Sequence, residues 1–147
     1  MPLAIRPLSP DDRAAWEPLW QGYLAFYEAA IPPEVTEATW ARLHDAAEPM
    51  HGLGAFEGES LLGIVHLVYH RSTWTMGPYC YLQDLFTAPQ ARGRGVGRAL
   101  IEAVYARAAA DGASRVHWLT QESNAAARAL YERVAQRSGF IQYRKLL

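Results

Sequence analysis

The 147-residue chain has one cysteine, Cys80, one lysine, Lys145, and no apolar run near the ~18 residues that could span a bilayer. A single cysteine excludes an internal disulfide and a thiolate metal cage, and Cys80 reads as a small buried hydrophobe. Charge of one sign is also lacking: fourteen basic residues face fifteen acidic ones, for a formal charge of −1. That balance excludes the chain-wide basic footprint of a nucleic-acid or anionic-lipid binder. Any positive site must be local and built from arginine, because the other 13 basic residues are arginines. The opening Met1-Pro2-Leu3-Ala4-Ile5-Arg6 lacks the basic-then-apolar order of a secretory leader. A cytoplasmic protein with neither nucleic acid nor membrane as partner is therefore expected. With no internal repeat, linker or low-complexity tract, the expectation is a single domain over residues 1–147.

Half the residues are hydrophobic, enough for a core, and their periodicity sets the elements. Ile5 and Leu8 flank a short first strand, and Ser9-Pro10-Asp11-Asp12 has the hydroxyl, proline and acids of a helix start. Trp16, Trp20, Tyr23, Leu24 and Tyr27 then recur at helical spacing, and Pro18 is expected to kink or divide the segment. A second helix is predicted over about 36–45, with Trp40 and Leu43 inward. Residues 52–56 and 61–69 read as two antiparallel strands joined by Glu57-Gly58-Glu59-Ser60, and 79–87 as a third strand after Gly77-Pro78. The stripe Val96, Leu100, Ile101, Val104 and Ala108 predicts a helix closed by Asp111-Gly112. A strand at 115–120, a helix capped by Asn124 and ended by Ser138-Gly139, and a last strand at 140–144 complete the order β-α-α-β-β-β-α-β-α-β. The class is α/β (mixed α+β), a central sheet covered by helices.

The chemistry concentrates in residues 82–100, where a strand, a glycine-rich turn and a helix follow one another. Gly93, Gly95 and Gly97 let successive N–H groups converge at the positive end of a helix dipole, a seat for pyrophosphate. Arg92, Arg94 and Arg98 add cations around it, although a tight turn with solvated arginines fits the same residues. The dinucleotide fingerprint does not apply, since the glycines are spaced G-x-G-x-G with no preceding βαβ unit, and no Gly-Lys-Ser/Thr of a P-loop occurs.

The run Leu82-Gln83-Asp84-Leu85-Phe86-Thr87-Ala88-Pro89, followed by Arg92-Gly93-Arg94-Gly95-Val96-Gly97-Arg98-Ala99-Leu100, resembles the acyl-CoA-binding motif of the GNAT N-acetyltransferase superfamily. Downstream, Asn124-Ala125-Ala126-Ala127-Arg128-Ala129-Leu130-Tyr131-Glu132 and then Ser138-Gly139-Phe140 are similar to that family's Asn-x-x-A-x-x-L-Y-E…G-F segment. The resemblance covers nearly the whole chain and implies a mostly antiparallel sheet splayed at one strand pair. It implies acetyl-CoA as co-substrate without a metal, pantetheine on the backbone of Leu85 and Thr87 flanking Phe86, and pyrophosphate on the N–H groups from Arg92 through Gly93, Arg94, Gly95, Val96 and Gly97 to Arg98. Asn124 would reach the pantetheine arm and Tyr131 would lie near the thioester sulfur. The implied activity is acetyl transfer to a primary amine by direct attack in a ternary complex, with a non-catalytic acyl-CoA-binding module as the alternative.

Such chemistry needs a group that removes the proton of an ammonium, a donor for the oxyanion and a donor for the leaving thiolate. The N–H near Leu85 suits the second and Tyr131 the third, although Tyr131 also lies on an apolar helical stripe that packing alone explains. Candidates for the base are Tyr81, Asp84, Glu28 and His117, with Asp84 taken as the catalytic carboxylate; strand alternation turns only one of Gln83 and Asp84 to the reaction side. His66 and His70 share a strand face but lack a third metal ligand. Glu28, Glu34, Glu37 and Asp45 among Trp16, Trp20, Tyr23, Tyr27 and Trp40 suit an amine acceptor with an apolar body, whether small molecule or peptide. The stretch between Tyr131 and Gly139 is longer than the compact motif, so the helix is expected to gain a turn. The final strand is then short, missing or supplied by a partner in a homodimer.

Overall fold

Strands joined by short polar turns become neighbours in the sheet, and that rule builds most of this molecule. The computed structural model describes residues 2–147. Strands β1 (Leu3–Pro7), β2 (Met50–Glu57), β3 (Ser60–His70), β4 (Tyr79–Thr87) and β5 (Arg115–His117) lie in sequence order across one sheet. The first three pairings are antiparallel and β4–β5 is parallel. A parallel pair needs a crossover, supplied here by helix α3 (Val96–Ala110).

Helices α1 (Arg13–Phe26) and α2 (Pro33–Leu43) cover one face of the sheet, and α3 covers the other. Both faces of β3 are therefore buried, which explains why residues 62–67 are buried in succession rather than alternately. Gly22 lets α1 approach closely: a Cβ there would stand 2.9 Å from the Phe86 ring on β4. Pro18 does not divide α1. It removes the one backbone hydrogen bond to the Ala14 carbonyl, at a cost of about 3 kcal/mol, while Trp16, Leu19, Trp20 and Leu24 are all buried along the same helix and each contributes about 1.5–3 kcal/mol.

The C-terminal third departs from expectation. The strand predicted over 115–120 pairs with β4 only from Arg115 to His117, opposite Tyr79 to Tyr81, and then leaves it, so the sheet is splayed beyond that point. Helix α4 (Ala125–Val134) gains no extra turn: Ala135 already has extended backbone, with φ −149° and ψ −173°. The strand predicted at 140–144 is not formed, because β5 is too short to offer it an edge. Phe140 and Tyr143 are instead 81% and 89% exposed.

Candidate active site

The centre of the site is set by a bulge. Across β3 and β4, His66 pairs with Asp84 and Leu67 with Leu82, so Gln83 is an extra residue with no partner. Without it Asp84 would share the α3 side with Cys80 and Leu82; with it, Asp84 and Phe86 turn to the α1 side. Gln83 and Asp84 therefore both line one cavity of about 330 Å³ under α1, with Trp20, Tyr23, Met50 and His66. This corrects the expectation that only one of the two faces the site.

Asp84 is 9% exposed and held by a relay. Trp16 Nε1–H donates to His66 Nε2 at 3.0 Å, and His66 Nδ1 lies 2.9 Å from Asp84 Oδ2. An indole can only donate, so His66 Nε2 must accept, and the imidazole is the neutral tautomer whose Nδ1–H donates to the carboxylate. His66 is thus no metal ligand, and His70 lies apart, with its Nε2 3.2 Å from His117 Nε2. Trp16 is fully buried and Trp40 nearly so; both belong to the core, whereas Trp20 and Tyr23 line the cavity.

Tyrosines ring the carboxylate. Burial first and the Asp84 charge second raise the phenol pKa values of Tyr23, Tyr27 and Tyr81. Tyr23 interacts directly with Asp84, while His66 engages the carboxylate at Oδ2. Tyr131 follows on through Tyr27: burial, then the Tyr27 phenol, pushes it up to about 12. Its ring meets Trp118 edge-on at 5.3 Å. At the last β4–β5 pair His117 stacks on Tyr81 at 5.0 Å. Burial, then the neighbouring His70 and Arg115, lowers the His117 pKa. Glu28 is exposed at the end of α1, Glu37 is paired with Arg13 and Asp45 accepts from the Ala47 N–H; none of them lines the cavity.

Beside this cluster β4 has an open edge. Ala88 N–H donates to the Leu62 carbonyl on the β3 side, so by alternation the backbone groups of Phe86 and Asp84 face β3, while those of Leu85 and Thr87 face the space that β5 vacates. The loop after Thr87 curls through Gly93 and Gly95, both at φ 79°, into α3. Among the described residues the N–H groups of Gly93 to Arg98 take no protein partner, so six successive donors stand free at a helix N-terminus. Gly97 is already inside the first turn of α3 and needs no left-handed backbone, contrary to its expected part in the curl. Arg92 bonds the Thr87 carbonyl at 3.2 Å and lies over the Phe86 ring; Arg94 pairs with Glu57 and Arg98 with Glu102. Asn124 precedes α4 without capping it, its Nδ2 donating to Thr120 Oγ1 at 3.4 Å.

The splayed β4–β5 pair and the donor-rich loop opening α3 define an acyl-transferase-like class of fold. The chain belongs to the acetyltransferase (GNAT) family, whose profile matches residues 16–135. It is 35% identical to the D-amino-acid N-acetyltransferase HPA3 of Saccharomyces cerevisiae, over 97% of this chain and 90% of that protein. It is 33% identical to the thialysine N-epsilon-acetyltransferase of Caenorhabditis elegans, over 76% of this chain and 69% of that one. The solved structure of AAC(6')-Iy in complex with a bisubstrate analog, CoA-S-monomethyl-acetylneamine, superimposes with a TM-score of 0.85 at 19% identity, covering 100% of both chains; that likeness is one of fold. The chain is an acetyltransferase enzyme. No helix among the described residues is long and apolar enough to cross a membrane.

Proposed function

We propose that this enzyme transfers the acetyl group of acetyl-CoA to a primary amine by direct attack in a ternary complex. The observation that carries the reading is the juxtaposition of a buried carboxylate, Asp84, with the open β4 edge and the six free N–H groups beyond it. That donor set fits a pyrophosphate: Gly93 and Gly95 have nothing within 4 Å of a would-be Cβ, so a ligand can reach the backbone. Arg92, Arg94 and Arg98 are tied only by exposed contacts of small worth and can turn to phosphate. Leu85 and Thr87 would hold the pantetheine, with Asn124 at its flank.

Bound acetyl-CoA supplies an activated acyl group and a thiolate leaving group. The apolar cavity walls disfavour the ammonium form of a bound amine, and Asp84, which lines the same cavity, would take its proton. The Leu85 N–H faces the side where negative charge grows on the carbonyl oxygen. Tyr131, pushed up to about 12, stays protonated at neutral pH. Against a thiol of ordinary pKa about 8.5 it stabilises the departing sulfur by hydrogen bonding rather than by full proton loss. Direct transfer is favoured over an acyl-cysteine because Cys80 is fully buried, on the α3 side of the sheet, with its thiol pushed up to about 11 by burial. The two relatives are both named as N-acetyltransferases, which supports an amine acceptor.

The proposal includes a single cytoplasmic domain that forms a homodimer. The exposed Phe140, Ile141, Tyr143, Leu146 and Leu147 support the dimer, since a second copy is the surface that would cover them. Calorimetric titration with acetyl-CoA tests the site: saturable binding, abolished in Gly95→Glu, with thiol release that depends on added primary amine, is expected. Absence of binding to the wild type overturns the proposal.

A further inference from the structure

The cavity beside Asp84 carries one negative charge and no cation that answers a second. Its walls are Trp20, Leu24, Ile31, Val35, Met50 and Val68, with Tyr23, Thr39 and Gln83 as neutral polar groups. No arginine or lysine is among the described residues that line it, and His66, both ring nitrogens committed, is neutral. The one cation of α1, Arg13, is not among the lining residues and is held by Glu17 and Glu37. We infer that the acceptor is a primary amine on an apolar or aromatic body with no carboxylate beside the amine.

The inference rests on the amine-acetyltransferase reading and narrows it. An α-amino acid whose nitrogen sits at Asp84 brings its own carboxylate within roughly 5 Å of a buried one, where low dielectric makes like charges repel strongly. That second carboxylate loses its water and finds only neutral donors, Tyr23, Thr39 and Gln83, and no cation in these walls to offset the cost. An amide, or hydrogen, in place of the carboxylate removes the conflict and keeps the apolar contacts. The cavity, about 330 Å³, stands at the small end of ligand sites, which suits one ring and a short alkyl arm. The acceptor class thus differs from the D-amino acids for which the yeast relative is named.

Matched acceptors test this in the wild-type enzyme: phenethylamine, and D- and L-phenylalanine each beside its amide, with kcat/KM expressed per unprotonated amine. Phenethylamine and the two amides are expected to exceed the free acids by roughly 100-fold. A ratio of amide to acid below ten for either enantiomer overturns the inference and leaves the amine-acetyltransferase reading standing. No acetylation of any compound by protein that binds acetyl-CoA overturns both.

Discussion

Replacing His66 with leucine removes the middle of the Trp16–His66–Asp84 relay while keeping an apolar side chain in its place. The His66 bond to Asp84 is to a charged, 9% exposed carboxylate, a kind worth about 1.5–3 kcal/mol. The Trp16 N–H, in a fully buried side chain, is left without an acceptor at a further ~1–3 kcal/mol. Partial water entry at Asp84 trims the sum, so His66→Leu should destabilise by about 2–5 kcal/mol, a large part of the roughly 5–15 kcal/mol typical of a domain. For a chain of this length that lowers Tm by about 6–16 °C. Urea unfolding followed by tryptophan fluorescence gives the value, and the indole N–H resonance of Trp16 should move toward that of an unbonded group. His66→Gln offers one acceptor and one donor and is expected to recover part of the loss. Stability of His66→Leu within 1 kcal/mol of wild type would refute the relay.

Three further outcomes follow from the same geometry. Gly95→Ala should cost about 1–2 kcal/mol because φ 79° is left-handed backbone, whereas Gly97→Ala, in α3 with its nearest Cβ contact at 3.7 Å, should be neutral or stabilising by up to ~1 kcal/mol; denaturant melts of both distinguish them. The Tyr131 phenol, raised to about 12 in the folded state by burial from the ordinary phenol value of about 10, favours the fold fully below pH 10 and loses that contribution as pH rises toward 12, so Tyr131→Phe should show a shallower alkaline loss of stability than wild type. Deletion of residues 137–147 should convert a dimer to a monomer by light scattering; an unchanged mass would remove the tail from the interface.

Periodicity found the four α-helices and all five strands and added a sixth strand that does not form, because burial of one face leaves a mark at 2.0 or 3.6 residues. The bulge at Gln83 left no such mark: strand alternation is read on the assumption that pairing is regular, and one unpaired residue reverses every face after it. For the same reason the neighbours of Asp84 were legible only in part. His66 read only as half of a face-sharing pair with His70, and its partner Trp16 lies fifty residues away on what reads as one aromatic helix face. The strand expected at 140–144 had the right composition, since Phe140, Ile141 and Tyr143 are strand formers. Whether it pairs depends on an edge that β5, three residues long, does not offer. Gly97 was grouped with Gly93 and Gly95 by spacing, and only the backbone angles separate them.

Asp84 is the group proposed to meet the amine, and one comparison reaches it directly: kcat and the acetyl-CoA Kd of Asp84→Asn beside wild type. The asparagine carbonyl can still accept from His66 Nδ1–H, so the fold and the β4 edge are kept. The expected result is an unchanged Kd for acetyl-CoA with kcat reduced by about 10²–10⁴. A variant that keeps both its affinity and its turnover within tenfold of wild type would contradict the assignment.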